Sequence, residues 1–260
     1  GVILVRLRGR SYEVATFRED LGYEDGRHPA RVRFSTAEAD ARRRDFTING
    51  LFYDPDKKRV IDFVGGKKDL SEGVLRTIGS PRARFEEDKL RLLRAIRFSA
   101  RFGFPIEPRT GAALRKLAPE IGEVSAERIR DELMEILLDR RPAEGLRLMD
   151  RYGLLKAVLP EVHAMKGVKQ PPEFHPEGDV FTHTLLMFEK MKRTFAQKPE
   201  FALAVLLHDA GKPPTYREAD RIRFDNHTVV GEQIASELMR RLRFSRQEIK
   251  LVSELVREHM

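Results

Sequence analysis

The chain has 260 residues and a mass of 30.0 kDa, enough for one large domain or two to three smaller ones. It has no cysteine, which excludes a disulfide scaffold and a zinc–cysteine cluster, and no apolar run approaches the ~18 residues that a membrane-spanning helix needs. The net charge of +8 is concentrated in residues 1–101, where 23 Lys and Arg face 16 Asp and Glu, and 35 of all 49 basic residues are Arg. Arginine suits bidentate contacts with phosphates, so the excess indicates either a polyanion or nucleotide partner or a codon bias toward arginine.

The two ends of the chain bear on its cellular location and its completeness. It begins at Gly1 without a charged-then-apolar leader, so we expect a cytoplasmic protein. It ends at His259-Met260 in the middle of a helical pattern. We therefore expect these residues to be a fragment of a longer polypeptide, cut at both ends.

The first residues favour β-strands. Residues 2–5 form an apolar run typical of a buried strand, and residues 12–17 alternate between two faces. A loop rich in Gly and Asp is predicted from Tyr23 to Pro29, and another strand over 31–34. Ser35-Thr36-Ala37-Glu38 has the form of a capping box that opens a short helix. This segment is therefore predicted to contribute a truncated mixed sheet.

From about residue 80 the pattern becomes helical. Apolar residues recur at helical spacing over 84–102, and Ser125 and Pro142 are predicted to open two further helices. Residues 166–178 are rich in Pro and Gly, which predicts a linker. The helices opened by Ser125 and Pro142 are predicted over 125–138 and 142–152, and four more over 181–197, 200–209, 229–243 and 246–260.

One arginine-rich segment has the side chains needed to hold a nucleotide. In Arg43-Arg44-Asp45-Phe46-Thr47-Ile48-Asn49, two guanidinium groups can grip a triphosphate while Asp45 and the Asn49 amide set their orientation. The alternative interpretation is a solvated, charged end of a helix. The residues alone leave both interpretations open.

A second segment combines an acid with regularly spaced arginines. Asp88 is followed by Arg91, Arg94 and Arg97 in steps of three, which on a helix places the four side chains along one side. An Asp acceptor beside an Arg donor can present both hydrogen-bond polarities to a base edge. The alternative is a series of ion pairs on a surface helix, each worth a few tenths of a kcal/mol.

Taken together, these segments resemble successive motifs of the class II tRNA nucleotidyltransferases, the family of the CCA-adding enzymes and the related bacterial poly(A) polymerases. The resemblance covers roughly residues 10–165, with the motifs in the family's order and at similar spacing. The matching segments are Tyr12 to Arg18, Tyr23 to Pro29, Arg43 to Asn49, Asp62 to Leu70 and Glu87 to Phe98.

The resemblance implies a metal-dependent transfer. Family members use two metal ions held by three carboxylates, which implies Mg²⁺ in the head. Two carboxylates form an Asp-x-Asp pair on an early strand, and the third lies on the strand that residues 12–17 match, which implies a catalytic role for Glu13. Without the family, Glu13 would be interpreted as an exposed strand residue. No Asp-x-Asp pair occurs in residues 1–30, so we expect catalysis from the parent polypeptide and not from these residues alone.

The same resemblance implies which residues bind the nucleotide. Arg44 is expected to contact its phosphates, and Asp45 and Asn49 to place its ribose. Asp88 and Arg91 are expected to read the Watson–Crick edge of CTP or ATP, so that protein replaces a nucleic-acid template. The arginines expected to support this reader or to reach the triphosphate are Arg94 and Arg97.

A histidine-rich constellation lies in the last third. His208-Asp209 closes the apolar run 201–207 and is followed by Gly211-Lys212; a buried His-Asp pair is costly unless it is bonded or binds a metal. This segment resembles the HD superfamily of metal-dependent phosphohydrolases, which implies a divalent metal here. The alternative is a domain kept for tRNA binding or packing. The expected metal ligands are His183, His208, Asp209 and His227, with His259 also able to converge. The histidines interpreted as loop residues are His28, His163 and His175.

The predicted fold class is α+β. A truncated head with a mixed or antiparallel sheet over 1–65 is followed by an all-helical neck and body over 66–165, which selects the nucleotide and binds RNA. A linker over 166–180 leads to a C-terminally truncated, helical HD domain over 181–260. Gly65-Gly66 is expected to be a hinge between head and neck.

The expected function is a tRNA nucleotidyltransferase that adds CCA, or the terminal A, to tRNA 3′ ends. The loop from Tyr23 to Pro29 has full length, which favours A addition over CC addition. The expected partners are tRNA, CTP and ATP, and no membrane. The alternatives are a bacterial poly(A) polymerase and an HD-type phosphohydrolase whose N-terminal part binds RNA.

Overall fold

The computed structural model describes residues 2–23, 29–191 and 198–260. Among the described residues helices predominate, and the strands pair in four separate two-stranded sheets, all antiparallel. The predicted α+β class is therefore confirmed. Of the mixed or antiparallel sheet expected in the head, the described residues form the antiparallel alternative, as separate hairpins.

Contacts between residues divide the chain into two compact units. Unit 1 consists of residues 1–88 and 105–110, and unit 2 of residues 89–104 and 111–260. The first unit thus extends past residue 65, the predicted end of the head. The predicted domain limits stay predictions.

Unit 1 begins with hairpins. In the first of them Val2 pairs with Ala15 and Leu7 with Arg10, so the strand predicted over 2–5 is confirmed. Its predicted burial is wrong, because Ile3 is 66% exposed. Residues 24–28 of the predicted loop lie outside the described residues. The strands of unit 1 are β1 (Val2–Leu7), β2 (Arg10–Ala15), β3 (Arg18–Tyr23), β4 (Pro29–Phe34), β5 (Leu51–Asp54) and β6 (Arg59–Asp62).

The helices of unit 1 are short. Thr36, and not Ser35, caps the first helix, because its Oγ1 accepts the Ala39 N–H at 3.2 Å; the capping box predicted from Ser35 to Glu38 is therefore wrong. Residues Thr47–Asn49 form one turn of 3₁₀ helix. The α-helices are α1 (Ala37–Arg42), α2 (Gly66–Glu72) and α3 (Pro81–Glu87).

The turn before α2 is held on both sides. The Asp62 carboxylate accepts the backbone N–H groups of residues 64 to 67 at 2.8–3.1 Å. Burial alone would raise the pKa of Asp62, but these four hydrogen bonds outweigh it, and the net effect is a lowered pKa. A Cβ on Gly66 would lie 2.2 Å from the Thr47 carbonyl oxygen, so the two backbones can approach only because residue 66 is glycine. The turn lies inside unit 1, and the hinge expected at Gly65-Gly66 stays a prediction.

Unit 2 is helical. The helix predicted over 84–102 is interrupted, because Asp88 adopts an extended backbone (φ −155°, ψ 105°) between α3 and the first helix of unit 2. The predicted helix over 142–152 is confirmed, with Pro142 as its first residue. The helices of unit 2, apart from the first residues of α5, are α4 (Arg91–Phe102), α5 (Pro108–Leu117), α6 (Ala126–Leu137), α7 (Pro142–Arg151), α8 (Leu154–Val158), α9 (Pro160–His163), α10 (Val180–Lys190), α11 (Pro199–Leu207), α12 (Lys212–Thr215), α13 (His227–Arg241) and α14 (Arg246–Arg257).

The last third of unit 2 places the histidines. Helices α10, α11, α13 and α14 confirm four predicted helices; α10 ends at Lys190, and residues 192–197 of its predicted range lie outside the described residues. An unpredicted hairpin joins β7 (Arg217–Glu218) to β8 (Ile222–Arg223). A Cβ on Gly211 would lie 2.0 Å from the His227 carbonyl oxygen, so a glycine there lets the His-Asp segment touch the start of α13.

Replacing Gly66 with alanine tests the pinned turn. We expect Gly66→Ala to lower the free energy of unfolding by about 3 kcal/mol, because its Cβ meets backbone that cannot move aside. Gly122→Ala is the matched control, since a Cβ there meets nothing within 4 Å. Thermal or urea unfolding measures both, and equal stability of the two variants would contradict this packing.

Candidate functional site

A buried carboxylate organises the first arginine-rich segment. Asp40 on α1 has a side chain only 4% exposed; its Oδ1 accepts Arg43 Nη2 at 2.6 Å, and its Oδ2 accepts Arg44 Nη2 at 3.1 Å. Burial raises the pKa of Asp40, but the hydrogen bonds and charge of Arg43 and the bonds from Arg18 and Arg44 outweigh it, so the pKa is lowered. Asp40 is therefore an ionised clamp that fixes two adjacent guanidinium groups.

The position of Arg44 is fixed further by two contacts. Its Nη1 donates to the Asn49 carbonyl oxygen at 2.8 Å, and its guanidinium carbon lies 4.6 Å from the centre of the Phe52 ring. Three of its five N–H groups are thus bound within the protein, and the side chain is 35% exposed. Arg44 has N–H groups left with which to bind an anion, at an orientation set before the anion arrives.

Asp45 and Asn49 form their own pair beside this clamp. Asp45 is 7% exposed, and its Oδ1 accepts the Phe46 N–H and the Asn49 Nδ2–H, both at 2.9 Å. Asp40 and the Asn49 carbonyl oxygen hold the two arginines, and the orienting role expected for Asp45 and the Asn49 amide stays a prediction. Asp40 lies three and four residues before Arg43 and Arg44, which is the helical ion-pair spacing and a signal that the sequence contained.

The predicted base-reading residues do not share one helix. Asp88 lies in the extended link after α3, and Arg91 is the first residue of α4, so the predicted helical ladder of four residues is wrong at its first member. Asp88 belongs to unit 1 and Arg91 to unit 2. Arg94 lies one turn further along α4, with its guanidinium carbon 5.2 Å from the Phe98 ring centre.

Arg97 is engaged in helix packing. Its Nε donates to Glu132 Oε1 at 2.5 Å and its Nη1 to Glu135 Oε2 at 3.2 Å, both on α6, and its side chain is 11% exposed. Burial raises the pKa of Glu132, against the charges of Arg97 and Arg94. Binding of a nucleotide by Arg97 would require these ion pairs to break, so its predicted role gains no support from the contacts.

Glu13 lies on β2, directly across from Leu4 of β1, and its side chain is exposed. Among the described residues, no group of three metal-ligating side chains includes Glu13. The residues at hand therefore do not by themselves form the expected Mg²⁺ site of the head. The catalytic role of Glu13 stays a prediction.

The second candidate site is centred on Asp209, at the end of α11. His208 Nε2 lies 3.1 Å from Asp209 Oδ2, whereas His227 Nε2 and His259 Nε2 lie 3.8 and 3.7 Å from Oδ1. The structure thus brings together all four predicted ligands and His259. Ligand atoms of His183, His208 and Asp209 lie within 4.8 Å of one another, and so do those of Asp209, His227 and His259.

Three of these histidines are oriented in the same way. The Nδ1 atoms of His208, His227 and His259 lie 2.6–2.9 Å from the carbonyl oxygen three residues earlier. A carbonyl can only accept, so each Nδ1 carries a proton, and Nε2 is the atom that each ring can offer to a metal. All three Nε2 atoms lie within 3.8 Å of an Asp209 carboxylate oxygen.

Orphaned buried atoms indicate that this cluster fits a metal ion. His208 Nε2, His227 Nε2 and Asp209 Oδ1 are buried without a hydrogen-bond partner, a costly state for polar atoms. Ligands at about 2.1 Å from one ion lie roughly 3 to 4 Å apart, close to the separations observed here. The donor set, imidazole with one carboxylate, suits a divalent transition metal.

A positive charge supports Asp209 from the other side. Lys212 Nζ donates to Asp209 Oδ2 at 2.8 Å and to Gln170 Oε1 at 2.7 Å, and all three side chains are buried. Burial raises the pKa of Asp209, but contact with His208 and His259 and the charge of Lys212 hold it far below the usual range. The carboxylate is ionised whether or not a metal is bound.

Sequence analysis missed two residues of this centre. Glu177 Oε1 lies 2.5 Å from His183 Nδ1 and 3.1 Å from His175 Nδ1, and these three could also hold an ion. Glu177 has a pKa of about 2, first because of its own backbone N–H and then because of the two histidines. His175, interpreted as an ordinary loop residue, is thus part of the cluster. The Pro and Gly content of residues 166–178 predicts a linker there. The short spacing of His175, Glu177 and His183 is the sequence signal that could have indicated a metal-binding group.

Family models match the chain in three successive segments. The poly(A) polymerase head domain matches residues 1–76, a probable RNA and SrmB-binding site of polymerase A matches 103–166, and the HD domain matches 180–260. A multifunctional CCA protein of Neisseria gonorrhoeae is 39% identical over 228 residues, which is 86% of this chain and 54% of that protein. The chain belongs to the family of the CCA-adding enzymes and poly(A) polymerases.

Further relatives agree with this assignment. The CCA-adding enzyme of Bacillus subtilis is 38% identical over 175 residues, 67% of this chain and 44% of that protein. The apo form II structure of a CCA-adding enzyme is 25% identical, with a TM-score of 0.62, over 98% of this chain and 63% of that one. The chain spans about half the length of the curated relatives it matches. No described helix is both long and apolar enough to cross a membrane.

Glu177 provides a test of the metal centre, because a carboxylate on the far nitrogen of a ligating histidine fixes its orientation and basicity. We expect Glu177→Gln to raise the dissociation constant for Co²⁺ about tenfold, measured by titration with visible absorption. Glu173→Gln, an exposed change on the same loop, should leave Co²⁺ binding unchanged. Equal affinity of the two variants would remove Glu177 from the centre.

Proposed function

We propose that the protein is a tRNA nucleotidyltransferase that adds CCA, or its terminal A, to tRNA 3′ ends by transfer from CTP and ATP. The observation that carries the proposal is the Asp40 clamp, which holds Arg43 and Arg44 side by side within the segment that matches the polymerase head domain. The relatives are named for CCA and for its addition, which supports a CCA end as the product. We place the protein in the cytoplasm, where tRNA and nucleoside triphosphates occur together.

The guanidinium groups of the proposed nucleotide site are fixed in position before any substrate binds. A triphosphate is strongly anionic, and guanidinium groups already fixed by a buried carboxylate lose little conformational entropy when they bind it. Arg44 is the proposed phosphate ligand. Asp45 holds the Asn49 amide, and we propose that this pair places the ribose.

Choice of the base is proposed to depend on Asp88 and Arg91. An Asp acceptor and an Arg donor offer the two polarities that C and A edges require. Arg94 is proposed to support them from the next turn of α4. Mg²⁺ and Glu13 are proposed for the transfer itself, although the described residues do not by themselves complete that metal site.

The deciding experiment measures nucleotide addition. Protein from the complete reading frame receives Mg²⁺, tRNA lacking CCA, and CTP, ATP or both, and the products are sized on a gel. We expect three added nucleotides only with both triphosphates. Addition of a single A, and only to tRNA that already ends in CC, would indicate an A-adding enzyme. Long tails of A would indicate a poly(A) polymerase. No addition would overturn the proposal.

A phosphohydrolase activity of the HD domain is the second candidate. It is favoured by the orphaned Nε2 atoms of His208 and His227 and by Asp209 Oδ1. These atoms would hold a divalent ion, whose bound water can attack a phosphoester. Lys212 keeps Asp209 ionised, and the backbone carbonyls keep each imidazole in the required tautomer.

Asp40 tests the clamp directly. We expect Asp40→Asn to raise the KM for CTP and ATP at least about tenfold, because two guanidinium groups lose the charge that fixes them. The control is Glu38→Gln on the same helix, which removes an exposed pair with Arg42 and should leave KM unchanged. Unfolding curves check that both variants are folded. An unchanged KM in folded Asp40→Asn would contradict the assignment of Arg43 and Arg44 to the nucleotide.

A further inference from the structure

Gln170, in the segment between α9 and α10, is buried beside the Asp209 centre. It is 5% exposed, and its Oε1 accepts Lys212 Nζ at 2.7 Å. An ammonium group can only donate, so this bond fixes which end of the amide is the oxygen. The amide nitrogen, Nε2, is therefore the end that Lys212 leaves unbound.

This amide nitrogen has no hydrogen-bond partner within the protein. Gln170 Nε2 is buried and unpaired, as are His208 Nε2, His227 Nε2 and Asp209 Oδ1. The four atoms belong to one cluster, because Lys212 Nζ bonds both Gln170 and Asp209. Buried polar side-chain atoms are nearly always paired, so four orphaned atoms in one place indicate a missing ligand.

The four orphaned atoms need partners of two kinds. The imidazole nitrogens and the carboxylate oxygen can bind a cation. An amide N–H, in contrast, cannot bind a cation and needs an acceptor. A metal ion alone would therefore leave Gln170 Nε2 unpaired, and the centre is complete only when an oxygen acceptor lies beside the ion.

Lys212 is committed within the protein and does not take the place of this donor. Two of its three N–H groups are bound, one by Asp209 Oδ2 at 2.8 Å and one by Gln170 Oε1. Its Nζ also lies over the Phe224 ring, 5.3 Å from the ring centre. The buried lysine thus holds the carboxylate and the amide in place, and the amide is the group that offers N–H donors to a ligand.

We propose that Gln170 is a phosphate-binding residue of the Asp209 centre and donates from Nε2 to a phosphate oxygen of the ligand. The proposal rests on the phosphohydrolase activity proposed above for the HD domain. A phosphate group fits because it can offer one oxygen to a metal ion and another to the amide. The other possible acceptor is an ordered water molecule, which the experiment distinguishes from phosphate.

The test measures binding of inorganic phosphate to the full chain loaded with Co²⁺, with visible absorption of Co²⁺ as the signal. Gln170→Glu keeps an oxygen for Lys212 and removes the N–H donors, whereas Gln170→Met removes the donors without adding a charge. For both variants we expect the dissociation constant for phosphate to rise roughly 10- to 100-fold, as for a lost hydrogen bond to a charged group. The control Gln247→Glu, an exposed change in the first turn of α14, should keep the wild-type constant.

Two other patterns would overturn the proposal. If Gln170 only holds Lys212, Gln170→Glu would bind phosphate like the wild type, and Gln170→Met would lose Co²⁺ affinity and stability in unfolding curves. If a water molecule is the partner of the amide, Gln170→Met would bind Co²⁺ and phosphate like the wild type. Should Gln170→Met not fold, wild-type phosphate binding in Gln170→Glu would still overturn the proposal.

Turnover separates this inference from the proposed activity. A chain that binds phosphate through Gln170 but hydrolyses no phosphoester would support the inference and overturn the phosphohydrolase candidate. A chain that hydrolyses phosphoesters with the same kcat/KM in the wild type and in both Gln170 variants would overturn the inference alone.

Discussion

A carboxylate that leaves water loses several kcal/mol of hydration free energy unless cations or N–H donors replace the water. Two carboxylates in this chain meet that requirement differently, and each organises a site. Asp40 is bound by two guanidinium groups that are always charged. Asp209 is bound by Lys212 on one oxygen and faces imidazoles with the other. The first arrangement is satisfied by the protein alone, whereas the second leaves buried ligand atoms without a hydrogen-bond partner, which a bound cation would satisfy.

Local signals in the sequence predicted the elements well, and long-range partners poorly. Pro142 as the first residue of a helix and His208-Asp209 at the end of a buried run are signals carried by adjacent residues, and the structure has both features. The pairing of Arg97 with Glu132 joins residues 35 positions apart on different helices. Periodicity tells which face of a helix is apolar but not which charged side chain of another helix meets it.

The sequence predicts a continuous helix over 84–102, and the structure interrupts it at Asp88. The residues on both sides of Asp88 have apolar side chains at helical spacing, so the pattern continues through the break. Phe85 is fully buried within unit 1, however, whereas Leu92 and Leu93 are fully buried within unit 2. Spacing cannot distinguish one core from two. The boundary between the units therefore falls within a stretch of regular apolar spacing. The two predicted base-reading residues, Asp88 and Arg91, belong to different units.

Composition alone also overstated the available positive charge. The excess of arginine suggested an anionic partner, yet many guanidinium groups are bound by acids within the protein: Arg43 and Arg44 by Asp40, and Arg97 by Glu132. Attraction to a polyanion depends on the charges that the fold leaves unpaired and on where they lie together, because paired charges largely cancel beyond a Debye length. The arginines that can attract a polyanion are thus those whose neighbours are neutral, and only the folded chain distinguishes them from the rest.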